Sequence, residues 1–114
     1  MKTLVTLDLD HVAPRFDLAA EVWIGQVDDA EQTRNTKTLV LSCASADELC
    51  KLVLTEKVTV VVCGAIENKY FEYLQWKGVT VIDSVVGPLT AIIKALGQGD
   101  LAPGSAYEPV DRAP

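Results

Sequence analysis

The 114-residue sequence lacks several features that would each point to a class of protein. No apolar run approaches the roughly 20 residues of a membrane span, and the first residues show no signal-peptide pattern. Bases are scarce, ten against sixteen acids, and the formal charge of −6 disfavours a general nucleic-acid binder or a polybasic membrane patch. We therefore expect a cytoplasmic protein that binds neither nucleic acid nor a membrane.

Cysteine and histidine are also few. Cys43, Cys50 and Cys63 show no CxxC spacing, which argues against a disulfide framework and a four-thiolate zinc site. We interpret Cys50 as a small buried hydrophobe and favour the same interpretation for Cys43. His11 is the single histidine, and no nucleophile–base pair is legible in the sequence. We therefore predict a protein that is not an enzyme.

The residues that are present indicate one globular domain and a tail. Hydrophobic residues make up 49% of the chain and charged residues 23%, which is a globular composition. A chain of this length can bury its own core. The last thirteen residues contain three of the five prolines and offer little to bury. We predict a single domain over residues 1–101 and a flexible tail over 102–114.

Hydrophobic periodicity predicts the element order β-β-β-α-β-α-β-α. The first three strands follow one another without a helical pattern, so antiparallel pairing is expected, whereas the later crossovers favour parallel strands. The compact solution is an α/β fold with a five-stranded mixed sheet of order 3-2-1-4-5 and three helices, the ribonuclease H-like arrangement. The strands are predicted over residues 2–8, 20–27, 36–41, 58–62 and 79–83, and the helices begin at a capping box at 45–48, near residue 68, and after Gly87-Pro88.

A binding site is predicted beyond the carboxyl ends of the parallel strands, where open α/β sheets bind ligands. Two helix N-termini point into this region and favour an anion. Gly64 and Gly87 either let the backbone approach a guest closely or simply form tight turns. Arg15 pairs either with an anionic guest or with a surface carboxylate. Both alternatives stay open for each of the three residues.

Cys63 and His11 are predicted to lie on adjacent loops of this edge, and we predict them as metal ligands. Sulfur and imidazole suit iron–sulfur and copper chemistry. The alternatives are a buried small residue and a solvated loop histidine. Asp8 and Asp10 either oppose an anion or point away, cap loops or pair with Arg15. One negative charge at ~8 Å costs ~2 kcal/mol at an effective dielectric near 20, whereas a helix N-terminus contributes only ~0.3–1 kcal/mol.

The segment from Val60 to Leu101 resembles the second half of the nitrogenase iron–molybdenum cofactor biosynthesis family. The resemblance lies in a strand followed by a glycine turn, Cys63-Gly64-Ala65-Ile66, and in the motifs Lys77-Gly78-Val79 and Gly97 to Leu101. Residues 12–28 resemble the family's approach to its second strand. The resemblance extends over roughly residues 2–101 and consists of glycine and hydrophobic patterns in the same order.

This resemblance implies a ribonuclease H-like domain that binds or carries a metal–sulfur cluster. Family members include carriers of the iron–molybdenum cofactor or its precursor, and the orange protein, which holds a molybdenum–copper sulfide cluster, is also similar. We accordingly expect an iron–sulfur or molybdenum-containing sulfide cluster as the cofactor. Its predicted contacts are Arg15, Gly64, Ala65, Ile66 and Gly87, with metal ligation by Cys63 and His11.

Three functions remain in view. The favoured one is non-catalytic binding or carriage of a metal–sulfur cluster in cofactor assembly or delivery, with cofactor-assembly proteins or an ATPase as partners. The second is a cofactor-free regulatory or protein-interaction module that uses Trp23, Tyr73 and Trp76. The least favoured is a metal-dependent phosphoryl-transfer enzyme, which needs carboxylates that converge on paired ions.

Overall fold

A computed structural model describes residues 1–28, 32–42 and 44–107. Cys43 and residues 108–114 of the predicted tail therefore lie outside the described residues. None of the helices in the described part of the chain is long and apolar enough to cross a membrane. The strands are β1 (Lys2–Asp8), β2 (His11–Val12), β3 (Glu21–Val27), β4 (Thr33–Val40), β5 (Val60–Val62) and β6 (Thr80–Ile82), and the helices are α1 (Ala46–Thr55), α2 (Asn68–Trp76) and α3 (Leu89–Gly97), with a 3-10 turn over Phe16–Leu18.

The sheet is mixed, as predicted. β1 runs antiparallel to β3, with Val5 opposite Trp23, and parallel to β5, with Val5 beside Val62. The predicted number of five strands is wrong, because the two-residue β2 pairs with the end of β1 in a segment expected to be a loop. A strand of two residues is too short to show a hydrophobic periodicity, so the sequence could not predict it. The five longer strands lie in the order β4-β3-β1-β5-β6, and β2 pairs with β1 off this path. These labels differ from the predicted 3-2-1-4-5 because β2 takes a number of its own.

Side chains of the sheet alternate between two cores, because successive residues of a strand face opposite sides. On one side, Leu4 and Val61 pack in a cluster that includes residues of α1 and α2. On the other side, Val5 and Val62 pack in a cluster that includes residues of α3. Burial on both faces explains why β5 consists entirely of valine.

Helix α1 begins where the sequence predicts it. Ser45 has extended backbone angles, and its Oγ accepts a hydrogen bond of 3.3 Å from the backbone N–H of Glu48. Behind the helix, the Glu56 carboxylate lies 2.9 Å from Lys37 Nζ and 3.4 Å from Lys2 Nζ. The end of α1 is thereby tied to both β1 and β4.

The chain after α3 returns to the loop that follows β6. The N–H of Val86 donates to the carbonyl of Ser105 at 2.9 Å, and the N–H of Tyr107 donates to the carbonyl of Val86 at 2.8 Å. The N–H of Gly104 donates to the carbonyl of Asp83 at 2.9 Å. The part of the predicted tail that the structure describes, 102–107, is therefore bonded to the domain.

Candidate functional site

Three loops meet at the carboxyl ends of the parallel strands, and we call them together the rim: residues 9–17 after β1, 63–67 after β5 and 83–88 after β6. The first two loops pair through Ala65, whose N–H donates to the carbonyl of Pro14 and whose carbonyl accepts from Phe16, both at 2.8 Å. The second and third join where the N–H of Ser84 donates to the carbonyl of Gly64 at 2.9 Å. The rim is thus one hydrogen-bonded surface.

The two predicted glycines are required by the chain itself. A Cβ on Gly64 would lie 2.3 Å from the carbonyl oxygen of Ala13 and 2.4 Å from that of Pro14. Gly87 has a φ of +145°, and a Cβ there would lie 2.9 Å from the Cβ of Tyr107. At both glycines, the backbone that comes close belongs to another segment of this protein. The alternative in which a ligand approaches the glycine is therefore not the one that the structure has.

Among the cavities of the rim, two shallow ones share Ala65. The larger measures about 300 Å³ and is lined by Gly64, Ala65 and the segment 84–86 together with the first loop. The smaller measures about 170 Å³ and lies between Arg15 and Ile66. A volume of about 300 Å³ is at the lower end of the range for small-ligand sites.

Two backbone donors of the second rim loop are unpaired. Within the described residues, the N–H groups of Gly64 and Ile66 donate to no acceptor. Helix α2 starts directly afterwards, and its N-cap Glu67 supplies no side-chain cap, so the amides of Asn68 and Lys69 lack intrahelical partners. Unpaired amides at a helix N-terminus attract anions through both hydrogen bonds and the helix dipole.

Side-chain charge contributes little attraction for an anion. Arg15 is the single lysine or arginine in the three loops, and its guanidinium donates two hydrogen bonds to Asp17, at 2.6 and 3.0 Å. Asp8, at the end of β1, and Asp10, on the first loop, are both exposed. Of the two alternatives left open for Arg15, the structure has the surface salt bridge, and anion binding at the rim depends on the backbone amides.

Cys63 and His11 occupy very different environments. The thiol of Cys63 has no exposed surface and belongs to the core cluster beneath α1 and α2. Burial, together with the negative charge of Asp83, raises the pKa of this thiol from 9.0 to about 12. His11 is exposed on β2 and bridges to Pro88. Ligation by Cys63 therefore requires the core to open and the thiol to lose its proton.

The described residues form no cluster of three or more histidine, cysteine or acidic side chains able to hold a metal ion. Asp8, Asp10 and Asp83 therefore do not converge as a two-metal phosphoryl-transfer centre requires. Of the predicted cofactor contacts, Arg15, Gly64, Ala65 and Ile66 lie around the paired first and second loops, whereas Gly87 lies on the third loop under Tyr107.

Sequence reasoning missed a cavity away from the rim. It measures about 480 Å³ and lies between α1 and α2, lined by Cys50 and Tyr70 among others. No motif marks these positions, because they meet only when the two helices pack side by side. The helical spacing of Tyr70 and Tyr73 is the single sequence signal that could have indicated a shared face.

Of the aromatic residues predicted for an interaction surface, Trp23 is buried in the core and Trp76 is 77% exposed.

Comparison with solved structures finds proteins of the same fold. The crystal structure of PH0822 has 19% sequence identity and a TM-score of 0.80, over 89% of this chain and 92% of that one. A "putative dinitrogenase" from Methanocaldococcus jannaschii has 20% identity and a TM-score of 0.72, over 90% and 92% of the two chains. A "putative NifB protein" of the DUF35 family from Thermotoga has 19% identity and a TM-score of 0.69, over 96% and 97%.

No family model matches the sequence, and no curated protein matches it. Similarity to solved structures at 19–20% identity demonstrates a shared fold and does not by itself transfer an activity. This chain therefore has the mixed α/β fold of PH0822, of the "putative dinitrogenase" and of the "putative NifB protein".

Proposed function

We propose that the protein is a non-catalytic binding domain with the ribonuclease H-like arrangement and that its rim takes a compact, anionic metal–sulfur cluster as cargo. The observation that carries this proposal is a pair of unpaired N–H groups just before the N-terminus of α2. One belongs to Gly64, which lines the cavity of about 300 Å³, and the other to Ile66, which lines the cavity of about 170 Å³. Sulfide and oxyanion ligands of such a cluster are hydrogen-bond acceptors and suit these donors.

The names of the structural neighbours support this choice of cargo over other anions. Two of them are called a dinitrogenase and a NifB protein, each marked as putative, and the motifs around Cys63 to Ile66 resemble the iron–molybdenum cofactor biosynthesis family. A role in assembly or delivery of the cofactor, with an assembly protein or an ATPase as partner, follows from the same resemblance. The molybdenum–copper cluster of the orange protein is the related alternative cargo.

The metal ligands in this proposal are not equivalent. His11 is exposed at the rim and is available as a ligand without rearrangement. Cys63 is buried as a neutral thiol, and it does not fit direct ligation in the conformation described. We therefore assign the main hold on the cargo to backbone amides, with His11 as the accessible ligand and Cys63 as a ligand only after opening of the core.

Anaerobic reconstitution with ferrous iron, sulfide and tetrathiomolybdate tests the proposal. We expect wild-type protein to gain a visible chromophore that stays with it through gel filtration. Ala65→Glu places a carboxylate in the cavity at an exposed position, and we expect it to abolish uptake. Ala44→Glu, exposed outside the rim, is the matched control and should load like wild type.

The ligand assignments are tested in the same assay. His11→Ala should reduce metal retention, whereas Cys63→Ala should retain most of the chromophore. A wild-type protein that takes up no metal, or equal loading of Ala65→Glu and Ala44→Glu, would contradict the proposal. Loss of the chromophore in Cys63→Ala alone would instead show that the core opens to bind the cluster.

One observation favours a second candidate function, a cofactor-free interaction module. Trp76 is 77% exposed on α2, its ring centroid lies 6.3 Å from that of Tyr73, and Lys77 Nζ lies 4.5 Å from its centroid. Large exposed aromatic side chains are typical of interface hot spots. A metal-free protein that binds an ATPase or a metalloenzyme subunit, with binding lost in Trp76→Ala, would favour this candidate over the first.

A further inference from the structure

The cavity between α1 and α2 lies away from the rim and is built differently from it. It measures about 480 Å³, within the usual range for small-molecule sites. Helix α1 contributes Asp47, Cys50 and Lys51, and α2 contributes Lys69, Tyr70 and Tyr73. On each helix the lining residues are spaced by one helical turn, so each helix presents one face to the cavity.

The floor of this cavity is apolar. Cys50 is 6% exposed and belongs to the core cluster that includes Leu49 and Leu74. Burial raises the pKa of the Cys50 thiol to about 11, with a further contribution from Asp47, so the thiol is neutral near pH 7. Tyr70 is partly buried and Tyr73 is 38% exposed. A flat apolar group can therefore lie against two tyrosines above a neutral thiol.

The mouth of the cavity carries an ammonium group with no carboxylate partner. In the described residues, Lys69 forms no ion pair, and its Nζ lies 5.0 Å from the ring centroid of Tyr70. Lys51 is paired with Glu48 at 3.8 Å, but the side chains are 76% and 55% exposed, and such surface pairs contribute ~0–1 kcal/mol. The ammonium groups of Lys51 and Lys69 are therefore both available to an anionic ligand, whereas the carboxylate of Asp47 repels it.

We propose that the cleft between α1 and α2 binds a small aromatic carboxylic acid, with its ring against Tyr70 and Tyr73 and its carboxylate on Lys69. This ligand class fits because the cavity combines two aromatic walls, an apolar floor and a cation without a carboxylate partner. The site shares no residue with the rim cavities, and the inference does not depend on the metal–sulfur proposal.

Titration of ¹⁵N-labelled protein with 2-naphthoate tests this inference. We expect amide shifts centred on Cys50 and Tyr70, saturating with a Kd of about 1 mM or tighter. Lys69→Gln should weaken binding about five-fold, the equivalent of one partly exposed ion contact. Lys94→Gln, an exposed lysine on α3, is the matched control and should bind like wild type. Asp47→Asn should strengthen binding, because it removes the opposing charge.

A neutral ring, 2-naphthalenemethanol, separates the two parts of the interaction. It should cause shifts at the same residues but should bind Lys69→Gln as well as it binds wild type. The inference is overturned if naphthoate shifts lie elsewhere, if none appear at about 10 mM, or if Lys69→Gln and Lys94→Gln give the same Kd. Uptake of metal at the rim is measured separately and has no bearing on any of these outcomes.

Discussion

At the residue scale, the sequence correctly predicted a close backbone approach at Gly64 but not which group makes it. The sequence places this glycine between a strand and a helix, where a close backbone approach is expected. The structure has that approach, but the group that comes close is the chain's own Ala13–Pro14 segment. Sequence periodicity cannot reveal it, because the approach is made by a loop some fifty residues away in the chain.

Gly64→Ala should therefore destabilise the protein strongly. The new Cβ would lie 2.3 Å from a backbone oxygen, so the pairing of the first two rim loops has to shift. We expect a loss of about 3 kcal/mol in the free energy of unfolding, measured by urea denaturation. Gly78→Ala is the control: it meets no atom within 4 Å but has a φ of +84°, and should cost ~1–2 kcal/mol. Equal losses of unfolding free energy for Gly64→Ala and Gly78→Ala would show that the backbone near Gly64 moves aside for the new Cβ at no further cost.

Cys63 leads to a prediction about pH. Its pKa rises from 9.0 to about 12 on folding, so above pH 9 the unfolded chain binds fewer protons than the folded one. The stability linked to this thiol is complete below pH 9 and is lost as the pH rises towards 12. In urea unfolding at several pH values from about 8 to about 10.5, the part of the stability loss due to Cys63 should approach about 1 kcal/mol per pH unit.

The variant Cys63→Ala provides the comparison for this pH dependence. It removes a buried sulfur and should be less stable at every pH, but its stability should fall less steeply above pH 9. Cys50, whose pKa is also raised, remains in both proteins and contributes to both curves. Parallel curves for the two proteins would show that the thiol of Cys63 titrates normally and is open to solvent.

At the element scale, local chemistry predicted the helices well and the short strands poorly. The start of α1 follows from a serine that can cap a helix, and the structure has that hydrogen bond. The start of α3 at Leu89 follows from Gly87-Pro88. In contrast, β2 has two residues, and its pairing depends on the turn after β1 and not on any pattern of its own.

The cap of α1 can be measured directly. Ser45→Ala removes the acceptor of the Glu48 N–H and should lower the free energy of unfolding by ~1 kcal/mol. Ser42→Ala, exposed and outside the helix, should change stability by less than about 0.5 kcal/mol. Thermal or urea unfolding followed by circular dichroism is sufficient for both. An equal decrease in the free energy of unfolding for both variants would show that the effect comes from the loop before α1 and not from the cap hydrogen bond.

At the scale of the whole molecule, the fold was more predictable than the site. Strand and helix periods, together with crossover rules, lead to a mixed sheet between helices, and this is what the structure has. The rim loops also follow from the topology. What could not be predicted is which side chains are accessible: the burial of Cys63 and the cleft beside Cys50 depend on how helices pack over the sheet.

The segment after α3 offers a test at this scale. Its hydrogen bonds to Val86 and Asp83 and the contact of Tyr107 with Gly87 join the C-terminal part of the chain to the rim. A chain that ends at Leu101 should unfold at a lower urea concentration than a chain that ends at Tyr107. The difference between the two urea midpoints measures the contribution of residues 102–107 alone. Identical midpoints would show that these bonds add nothing to stability.

The position of β1 has a consequence for how the protein is made. This strand leaves the ribosome before the other strands of the sheet, yet it lies in the middle of the sheet, with Thr3 beside Val60. Throughout synthesis of the intervening segment, one side of β1 offers unpaired backbone groups and apolar valine and leucine to any neighbouring chain. Nascent molecules on one messenger are therefore most vulnerable to aggregation, and most in need of a chaperone, until β5 emerges.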